Sequence, residues 1–287
     1  MLTTVSTHVE FYQGIKGPLF RIIRTPAKVL GHLLFIAPLF EQANKTRHHA
    51  TRSAMNAYQF GLQSIVFDHY GTGDSAGDLI DASMVLWQQD IVQQVNAIKA
   101  KSSQAIYFSL PLSAVLLLSD ELLSLADGVI LLQPDFNGKR FVQQFQRLAV
   151  VAQLTKNSKI EEGSSIRTQR TEQQTIEIAG YVITPSLLSE ISGQSLAKLA
   201  KITVDCYWFE WQHQQEELSL ARTKQQQAAV NKSNHLVIEQ VDDVKFWQAT
   251  ELQLAQSFLT KEQQVFAKLA SASLSFSAPE VVKCEKQ

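Results

Sequence analysis

The sequence has few cysteines, no long hydrophobic run and almost no excess of charge, and each absence excludes a class of protein. Its 287 residues include only Cys206 and Cys284, which are too few for a disulfide framework and indicate a reducing compartment. The longest apolar runs, such as 114–118, are too short to cross a bilayer, and the N-terminus shows no signal-peptide pattern. The net charge of −1 gives no long-range attraction for nucleic acid or an anionic membrane. We therefore expect a cytoplasmic protein with no membrane span and no nucleic-acid partner.

Short apolar runs alternate with helical patterns along most of the chain. This alternation is typical of a mostly parallel sheet with helices on both faces, and it predicts a single α/β domain over 1–287. The run 19–23 is predicted to be an antiparallel strand at the start of the sheet. The other predicted strands are 32–36, 63–67, 105–108, 128–132, 202–209 and 236–241, and the predicted helices are 44–60, 83–101, 112–125 and 250–259.

The alternation lapses between residues 137 and 200. A helical pattern over 141–154 is followed by a polar stretch over 156–175 that contains Gly163, and then by a second structured segment over 176–199. The lapse follows the predicted strand 128–132. We expect a cap inserted into the domain over about 137–200.

A glycine-rich segment, Asp68 to Asp78, follows the predicted strand 63–67. Glycines permit positive φ, and Asp and Ser close tight turns, so the segment predicts a turn between sheet and helix. A phosphate cradle is the alternative. The spacing is not Gly-x-Gly-x-x-Gly and no Lys-Ser/Thr pair follows, so the sequence favours the structural turn.

Polar residues also follow the predicted strand 32–36. They are Glu41, Gln42, Asn44 and Arg47. Ligands of α/β sheets bind beyond the carboxyl ends of the strands, where these residues would face the start of the glycine-rich segment. Asn44 or Gln42 could equally cap the following helix. The two roles are compatible, and both remain open.

His48 and His49 are an adjacent pair within the predicted helix 44–60. Neighbours on a helix point about 100° apart and so do not readily share one ion, and Arg47 beside them repels a cation. We interpret the pair as part of a solvated helix face. The sequence predicts no metal site and no cofactor.

Five segments, taken in order, resemble one family. They are PLFEQANKTR at 38–47, LLQP at 131–134 with NGK at 137–139, QFQR at 144–147, AGY at 179–181 and FWQATE at 246–251. Together with the glycine-rich turn they resemble the exosortase A system-associated hydrolases of the second type, in the α/β-hydrolase superfamily, from about Leu19 to Leu254. The resemblance implies an α/β-hydrolase fold and a genomic setting beside exopolysaccharide and protein-sorting genes of Gram-negative bacteria. It also implies partner proteins of such a system and a small acyl or glycan ligand.

The α/β-hydrolase fold carries its nucleophile on a Gly-x-Ser-x-Gly elbow between a strand and a helix. The corresponding segment here is Ser109-Leu110-Pro111-Leu112-Ser113, with Pro111 at the nucleophile position. Proline fixes φ at a negative value and has no nucleophilic atom. It is tolerated at the first position of a helix, so we expect an ordinary helix start in place of the sharp turn. Ser109 and Ser113 are expected to cap or pack.

The other members of a Ser-His-acid triad are also missing at their expected positions. The segment after the last predicted strand begins Asp242-Asp243 and contains no histidine, and His235 precedes that strand. Glu210 follows the preceding strand, but an acid without its histidine orients nothing. Ala37-Pro38 replaces the His-Gly pair of the oxyanion loop.

Two interpretations follow. In the first, the chain is a divergent or inactive hydrolase that binds an unidentified small molecule. In the second, it is an active hydrolase on an ester, thioester or glycan-linked acyl substrate through a non-standard site, with Ser109, His69 or Glu41 as catalytic candidates and His69 as base. The second requires His69 in a cleft beside a carboxylate. The predicted ligand cleft consists of Pro38, Leu39, Glu41, Asn44, Asp68, His69 and Pro111.

Overall fold

The computed structural model describes residues 6–157, 175–213, 217–230 and 236–276. His235, Cys284 and most of the polar stretch 156–175 lie outside these residues. Within them, no helix is long and apolar enough to cross a membrane.

In the described part of the chain, eight strands form one central sheet, and two more form a separate hairpin. In chain order the strands are β1 (Ser6–Gln13), β2 (Pro18–Thr25), β3 (Gly31–Phe35), β4 (Leu62–Phe67), β5 (Ile106–Pro111), β6 (Gly128–Leu132), β7 (Ile176–Ile178), β8 (Tyr181–Ile183), β9 (Asp205–Trp211) and β10 (Leu236–Val241). The sheet order is β1-β2-β4-β3-β5-β6-β9-β10, and β7 pairs with β8. The β1–β2 and β2–β4 pairings in this sheet are antiparallel, and the other five pairings among the described strands are parallel. The prediction of a mostly parallel sheet with an antiparallel strand at 19–23 is confirmed.

The helices connect these strands across both faces of the sheet. They are α1 (Glu41–Gln59), α2 (Met84–Lys99), α3 (Asp120–Leu125), α4 (Gly138–Asn157), α5 (Pro185–Ser192), α6 (Leu220–Val230) and α7 (Gln256–Phe276). Leu33 of β3 packs with α1 and α7 on one face, and the next residue, Leu34, packs with α2 on the other. Since side chains alternate across a strand, a strand covered on both faces must be apolar throughout. This explains the continuous apolar runs in the sequence.

Two helix predictions are wrong in their bounds. The segment 112–125 is not one helix: a 3₁₀ helix covers Leu112–Leu117, and α3 begins after Ser119, whose side chain accepts the N–H of Leu122. A serine cap in extended conformation starts a new helix instead of continuing the old one. The late helix begins at Gln256, not near residue 250, because the carboxylate of Asp243 accepts the N–H groups of Ser257 and Phe258.

The segment between β6 and β9 packs over the loop that follows β3. Phe40, at the start of α1, stacks on Phe145 of α4 with ring centroids 4.5 Å apart, and Tyr181 of β8 lies 5.7 Å from the same ring. Gly138 approaches α5 so closely that an added Cβ would lie 1.8 Å from the carbonyl oxygen of Ile191. Aromatic stacking and this close approach hold α4, α5 and the hairpin against the domain.

One buried acid lies between α1 and α7. Glu262 is fully buried and accepts a hydrogen bond of 2.5 Å from the hydroxyl of Ser53. Burial raises the pKa of Glu262 to about 8, since the charged form loses its hydration. The carboxyl group is therefore largely protonated at neutral pH.

This raised pKa predicts a pH-dependent stability. The folded state holds the proton more tightly than the unfolded state, so stability is fully present below the unfolded pKa near 4.5 and is lost as pH rises toward about 8. We expect the free energy of unfolding to fall by on the order of 3 kcal/mol between pH 5 and pH 8 through this group. Glu262→Gln should remove that part of the fall, while Glu251→Gln on the surface should leave it. Urea denaturation at both pH values measures the free energy of unfolding. An equal fall between pH 5 and pH 8 in the wild type and in Glu262→Gln would contradict the prediction.

Candidate functional site

Backbone strain is concentrated at the carboxyl ends of three adjacent strands. Phe40, Leu112 and Gln133 are non-glycine residues with φ of 53°, 52° and 43°, and they follow β3, β5 and β6. Such conformations cost roughly 1–3 kcal/mol each and cluster at functional sites. In an open α/β sheet this edge is also where ligands bind. The strain therefore marks this edge as the candidate site.

The elbow keeps its sharp turn, contrary to the expected ordinary helix start. Pro111 ends β5 in extended conformation, with φ −76° and ψ 140°, and the positive φ falls on Leu112. Because the proline ring forbids positive φ, the strained conformation moves one residue along the chain. Leu112 is buried and has no nucleophilic atom.

The two backbone segments that form the oxyanion hole of this fold are bonded to side chains here. The N–H of Ser113, which follows the strained residue, donates to Oε1 of Gln42 at 3.1 Å. The N–H of Leu39, in the loop after β3, donates to Oγ of Ser113 at 2.9 Å. An oxyanion needs free donors aimed at it. In this structure both N–H groups already donate to side chains of the protein, that of Ser113 to Gln42 and that of Leu39 to Ser113.

Ser109, the first catalytic candidate, lies within the sheet. It pairs with Phe35 and Ile130 in the neighbouring strands and is 2% exposed. With Pro111 it lines a cavity of about 20 Å³. This position gives the hydroxyl no access to solvent or to a substrate.

His69, the expected base, is buried among aromatic rings. Its Nε2 donates to the carbonyl oxygen of Ala37 at 3.0 Å, and its ring packs against Phe67 and Trp87. Burial lowers the pKa of His69, so the ring is held neutral. The neighbouring carboxylate of Asp68 bonds to Arg47 at 2.7 Å, not to the imidazole. Among the described residues, His69 therefore lacks the carboxylate contact that a water-activating base requires.

The glycine-rich turn is held together by its own side chains. The second oxygen of Asp68 accepts the N–H of Asp74, and Ser75 Oγ donates to the Asp68 carbonyl while accepting the N–H of Phe20. The turn thus encloses a carboxylate, which would repel a phosphate. These contacts favour the structural turn.

The predicted cleft residues are divided among several cavities. Pro38, Leu39, Asn44, Asp68 and His69 line a cavity of about 200 Å³. Glu41 lines a larger cleft of about 570 Å³. Pro111 borders only small cavities of about 40 and 20 Å³. The structure therefore brings five of the seven residues together in one cavity. Glu41 contacts this group through a hydrogen bond of 3.4 Å from Asn44, and Pro111 shares the cavity of about 40 Å³ with Pro38 and Asp68.

The larger cleft, which we call the elbow cleft, contains the strained residues Leu112 and Gln133. Its wall includes residues from α1, the loops after β6 and β10, α4 and α6. The basic residues in this wall are Lys45, Arg140, Arg222 and Lys245, and the acidic residues are Glu41 and Asp135. Sequence reasoning missed Arg222 and Lys245 as site residues. Lys245 stands beside the FWQATE segment, whereas no pattern distinguishes Arg222.

Glu210, at the expected acid position, is a buried structural anchor. It is 1% exposed and accepts hydrogen bonds from Arg222 Nε at 2.6 Å, Trp208 Nε1 at 2.8 Å and Gln133 Nε2 at 3.3 Å. Arg222 also donates to the carbonyl oxygen of Pro134 at 2.6 Å. This paired carboxylate fixes the strained loop after β6.

The positions after β9 and β10 hold a His–Asp pair in reversed order. Nδ1 of His213, after β9, lies 2.7 Å from Oδ1 of Asp242, after β10. Both side chains are almost half exposed, and neither lines the elbow cleft. Sequence reasoning missed His213. The pair joins the loops after β9 and β10.

The interpretation of His48-His49 as a solvated face is wrong for His49. His49 is buried, stacks on Phe246 at 3.8 Å and accepts the N–H of Ala255 through Nε2. Burial lowers the pKa of His49 to about 4. The residue therefore fixes α1 against the loop before α7.

Among the residues that the structure describes, no group of three or more His, Cys, Asp or Glu could hold a metal ion.

Comparisons with known proteins identify the fold. No protein-family model matches the chain, and no curated protein matches it. Est1E from Butyrivibrio proteoclasticus, solved with ferulic acid bound, matches with a TM-score of 0.64 at 12% identity, over 93% of this chain and 99% of that one. The α/β hydrolase GrgF from Penicillium sp. sh18 gives 0.58 at 12%, over 93% and 99%, and an esterase from Pyrococcus furiosus gives 0.60 at 9%, over 93% and 91%. The chain has the α/β-hydrolase fold.

The Gln42–Ser113 bond leads to a stability prediction. Gln42→Met keeps the length of the side chain but leaves the buried N–H of Ser113 without an acceptor. Such a loss costs about 1–3 kcal/mol, so we expect a corresponding fall in the free energy of unfolding by urea denaturation. Gln59→Met, at the exposed end of α1, is the matched control. If the two variants changed the free energy of unfolding equally, the N–H of Ser113 would be solvated from the cleft and available to a ligand.

Proposed function

We propose that this chain binds a small molecule in the elbow cleft and performs no serine-hydrolase chemistry. The observation that carries the proposal is the elbow itself, where the strained position is Leu112 and the adjacent amide of Ser113 is already bonded to Gln42. Acyl transfer requires a nucleophile, a base and oxyanion donors together. None of the described histidines lines the elbow cleft.

The strained backbone at the elbow cleft supports a role for this cleft in ligand binding. Leu112 and Gln133 keep unfavourable conformations at a cleft of about 570 Å³, within the usual range for small-molecule sites. Strained residues persist only where surrounding contacts fix them. When a cleft is preformed, ligand binding requires no free energy to order the residues of the cleft.

The finer family assignment is part of the proposal. Residues of the exosortase-associated resemblance concentrate at the elbow cleft, namely Glu41, Gln42, Lys45, Gln133, Pro134, Gln144, Trp247 and Gln248. This concentration is the pattern expected if the shared motifs serve one binding site. We therefore propose a divergent relative of the exosortase A system-associated hydrolases. On this basis it acts in the cytoplasm with partners of a polysaccharide or protein-sorting system, on an acyl or glycan ligand.

The segment 137–200 is proposed to be the cap of this site. Arg140, Gln144 and Leu148 of α4 form one wall of the elbow cleft, opposite the carboxyl edge of the sheet. The contacts of Phe40 with Phe145 and Tyr181 join the same segment to the loop after β3. A cap in this position determines which ligands reach Leu112.

A fluorophosphonate probe followed by mass spectrometry tests the absence of serine-hydrolase chemistry. We expect no adduct on the wild-type chain while an active esterase is labelled in parallel. Leu112→Ser, which places a hydroxyl at the strained position, should also remain unlabelled because it supplies no base. An adduct on Ser109 or Ser113 that disappears on alanine substitution would overturn the proposal and identify the nucleophile.

A further inference from the structure

A cavity separate from the elbow cleft lies at the carboxyl ends of β3 and β4, and we call it the β3–β4 cavity. Its volume is about 200 Å³, and its wall is formed by the loop after β3, the start of α1, the glycine-rich turn, α2 and β8. Among the described residues, it shares no lining residue with the elbow cleft. An apolar cavity of about 150 Å³ is large enough to bind benzene. The β3–β4 cavity can therefore hold a molecule of about one six-membered ring with a substituent.

The two charged side chains in the wall of this cavity are paired with each other. Arg47 donates to the carboxylate of Asp68 at 2.7 Å, so their charges compensate. The amide of Asn44 in the same wall donates to the hydroxyl of Tyr181 at 2.9 Å. A ligand with a net charge would therefore lose its hydration without gaining a free counter-charge, which is unfavourable. The cavity thus favours a neutral ligand.

His69 contributes a buried acceptor to this wall. The residue is 4% exposed, and its Nε2 lies 3.0 Å from the carbonyl oxygen of Ala37. Because a carbonyl oxygen only accepts, Nε2 carries the hydrogen. Burial lowers the pKa of His69, so the ring is neutral and has one N–H group. Nδ1 is therefore an unprotonated acceptor, and no described residue donates a hydrogen bond to it.

The rest of the wall is largely apolar. Leu39, Phe40, Leu79 and Trp87 line the same cavity. Native proteins rarely leave a buried acceptor without a donor, since this is unfavourable. We propose that the β3–β4 cavity binds a small neutral molecule with a hydroxyl group, about the size of phenol. Its O–H donates to Nδ1 of His69, and its apolar part packs against these four side chains. This site is additional to the elbow cleft.

Phenol and toluene, which have nearly the same shape, test the hydrogen bond. Phenol has an O–H donor, whereas toluene has a methyl group in its place. We expect His69→Phe, which removes the acceptor and keeps a ring, to lower the phenol affinity by about tenfold and the toluene affinity by less than about twofold. Titration calorimetry measures both. An equal loss for both compounds would assign His69 a packing role only and overturn the inference, as would the absence of phenol binding to the wild type.

Nitrogen NMR of the histidine rings tests the same bond in the wild-type protein. The resonance of an unprotonated ring nitrogen moves upfield when that nitrogen accepts a hydrogen bond. We expect saturating phenol to move the Nδ1 resonance of His69 upfield and toluene to leave it in place, with the assignment made from its loss in His69→Phe. A resonance that phenol does not move would overturn the inference. A proton on Nδ1 in the free protein would overturn it as well.

Two matched tryptophan variants locate the phenol site. Leu79 is half-buried in the wall of the β3–β4 cavity, so Leu79→Trp should fill the cavity and weaken the binding of phenol and toluene by at least about tenfold. Leu148→Trp, in the wall of the elbow cleft, should leave both affinities unchanged. Circular dichroism and thermal unfolding check that each variant is folded. If only Leu148→Trp weakens phenol binding, this inference fails while the proposed function of the elbow cleft stands. If neither variant weakens it, phenol binds elsewhere and the inference also fails.

Charged analogues of phenol test the preference for a neutral ligand. Benzoate and benzylamine carry a negative and a positive charge on the same ring at pH 7, whereas phenol ionises only at about pH 10. We expect both to bind at least about tenfold more weakly than phenol, because the paired Arg47 and Asp68 offer no free counter-charge. Titration calorimetry at pH 7 measures the three affinities. Binding of either charged compound as tightly as phenol would overturn the inference.

Discussion

The proline ring at the end of β5 constrains the loops after β5 and β3 at the elbow cleft. Pro111 requires a negative φ, near roughly −65°, so the sharp turn after the strand must be made by Leu112. The turn then directs the amide of Ser113 toward Gln42 and its hydroxyl toward Leu39. A single ring thus links the loop after β5 to the loop after β3.

The strain is offset by hydrogen bonds that cross between strands. The carbonyl oxygen of Leu112 accepts the N–H of Asp135 at 2.9 Å, and Gln133 Oε1 accepts the N–H of Trp211 at 2.6 Å. The Glu210–Arg222 pair also bonds to the loop after β6, through Gln133 and the carbonyl oxygen of Pro134. Each bond contributes about 1 kcal/mol, and several are needed against strain of roughly 1–3 kcal/mol per residue. The polar residues at this edge therefore bond to one another, since several such bonds are needed to offset the strain.

The sequence allowed the sheet to be predicted because burial on both faces leaves an unbroken apolar run, as in β3 and β6. It did not indicate β1, whose side chains are nearly all exposed and which is held mainly by pairing with β2. The site was harder to predict. The burial of His49 depends on Phe246, nearly 200 residues later, and the position of Arg222 depends on its pairing with buried Glu210. The first contact joins distant parts of the chain, and the second joins a strand end to a helix 12 residues later. Neither leaves a local pattern in the sequence.

The positions that would carry catalysis in this fold have each acquired a structural partner. Glu210 is paired with Arg222, Asp242 with His213, and the amide after Leu112 with Gln42. A recent loss of one catalytic residue would leave the others free and still arranged for chemistry. A nucleophile introduced at residue 112 would still have an acid paired with arginine and an amide bonded to a glutamine. Structural contacts therefore hold all three positions together, which supports the proposed loss of serine-hydrolase chemistry.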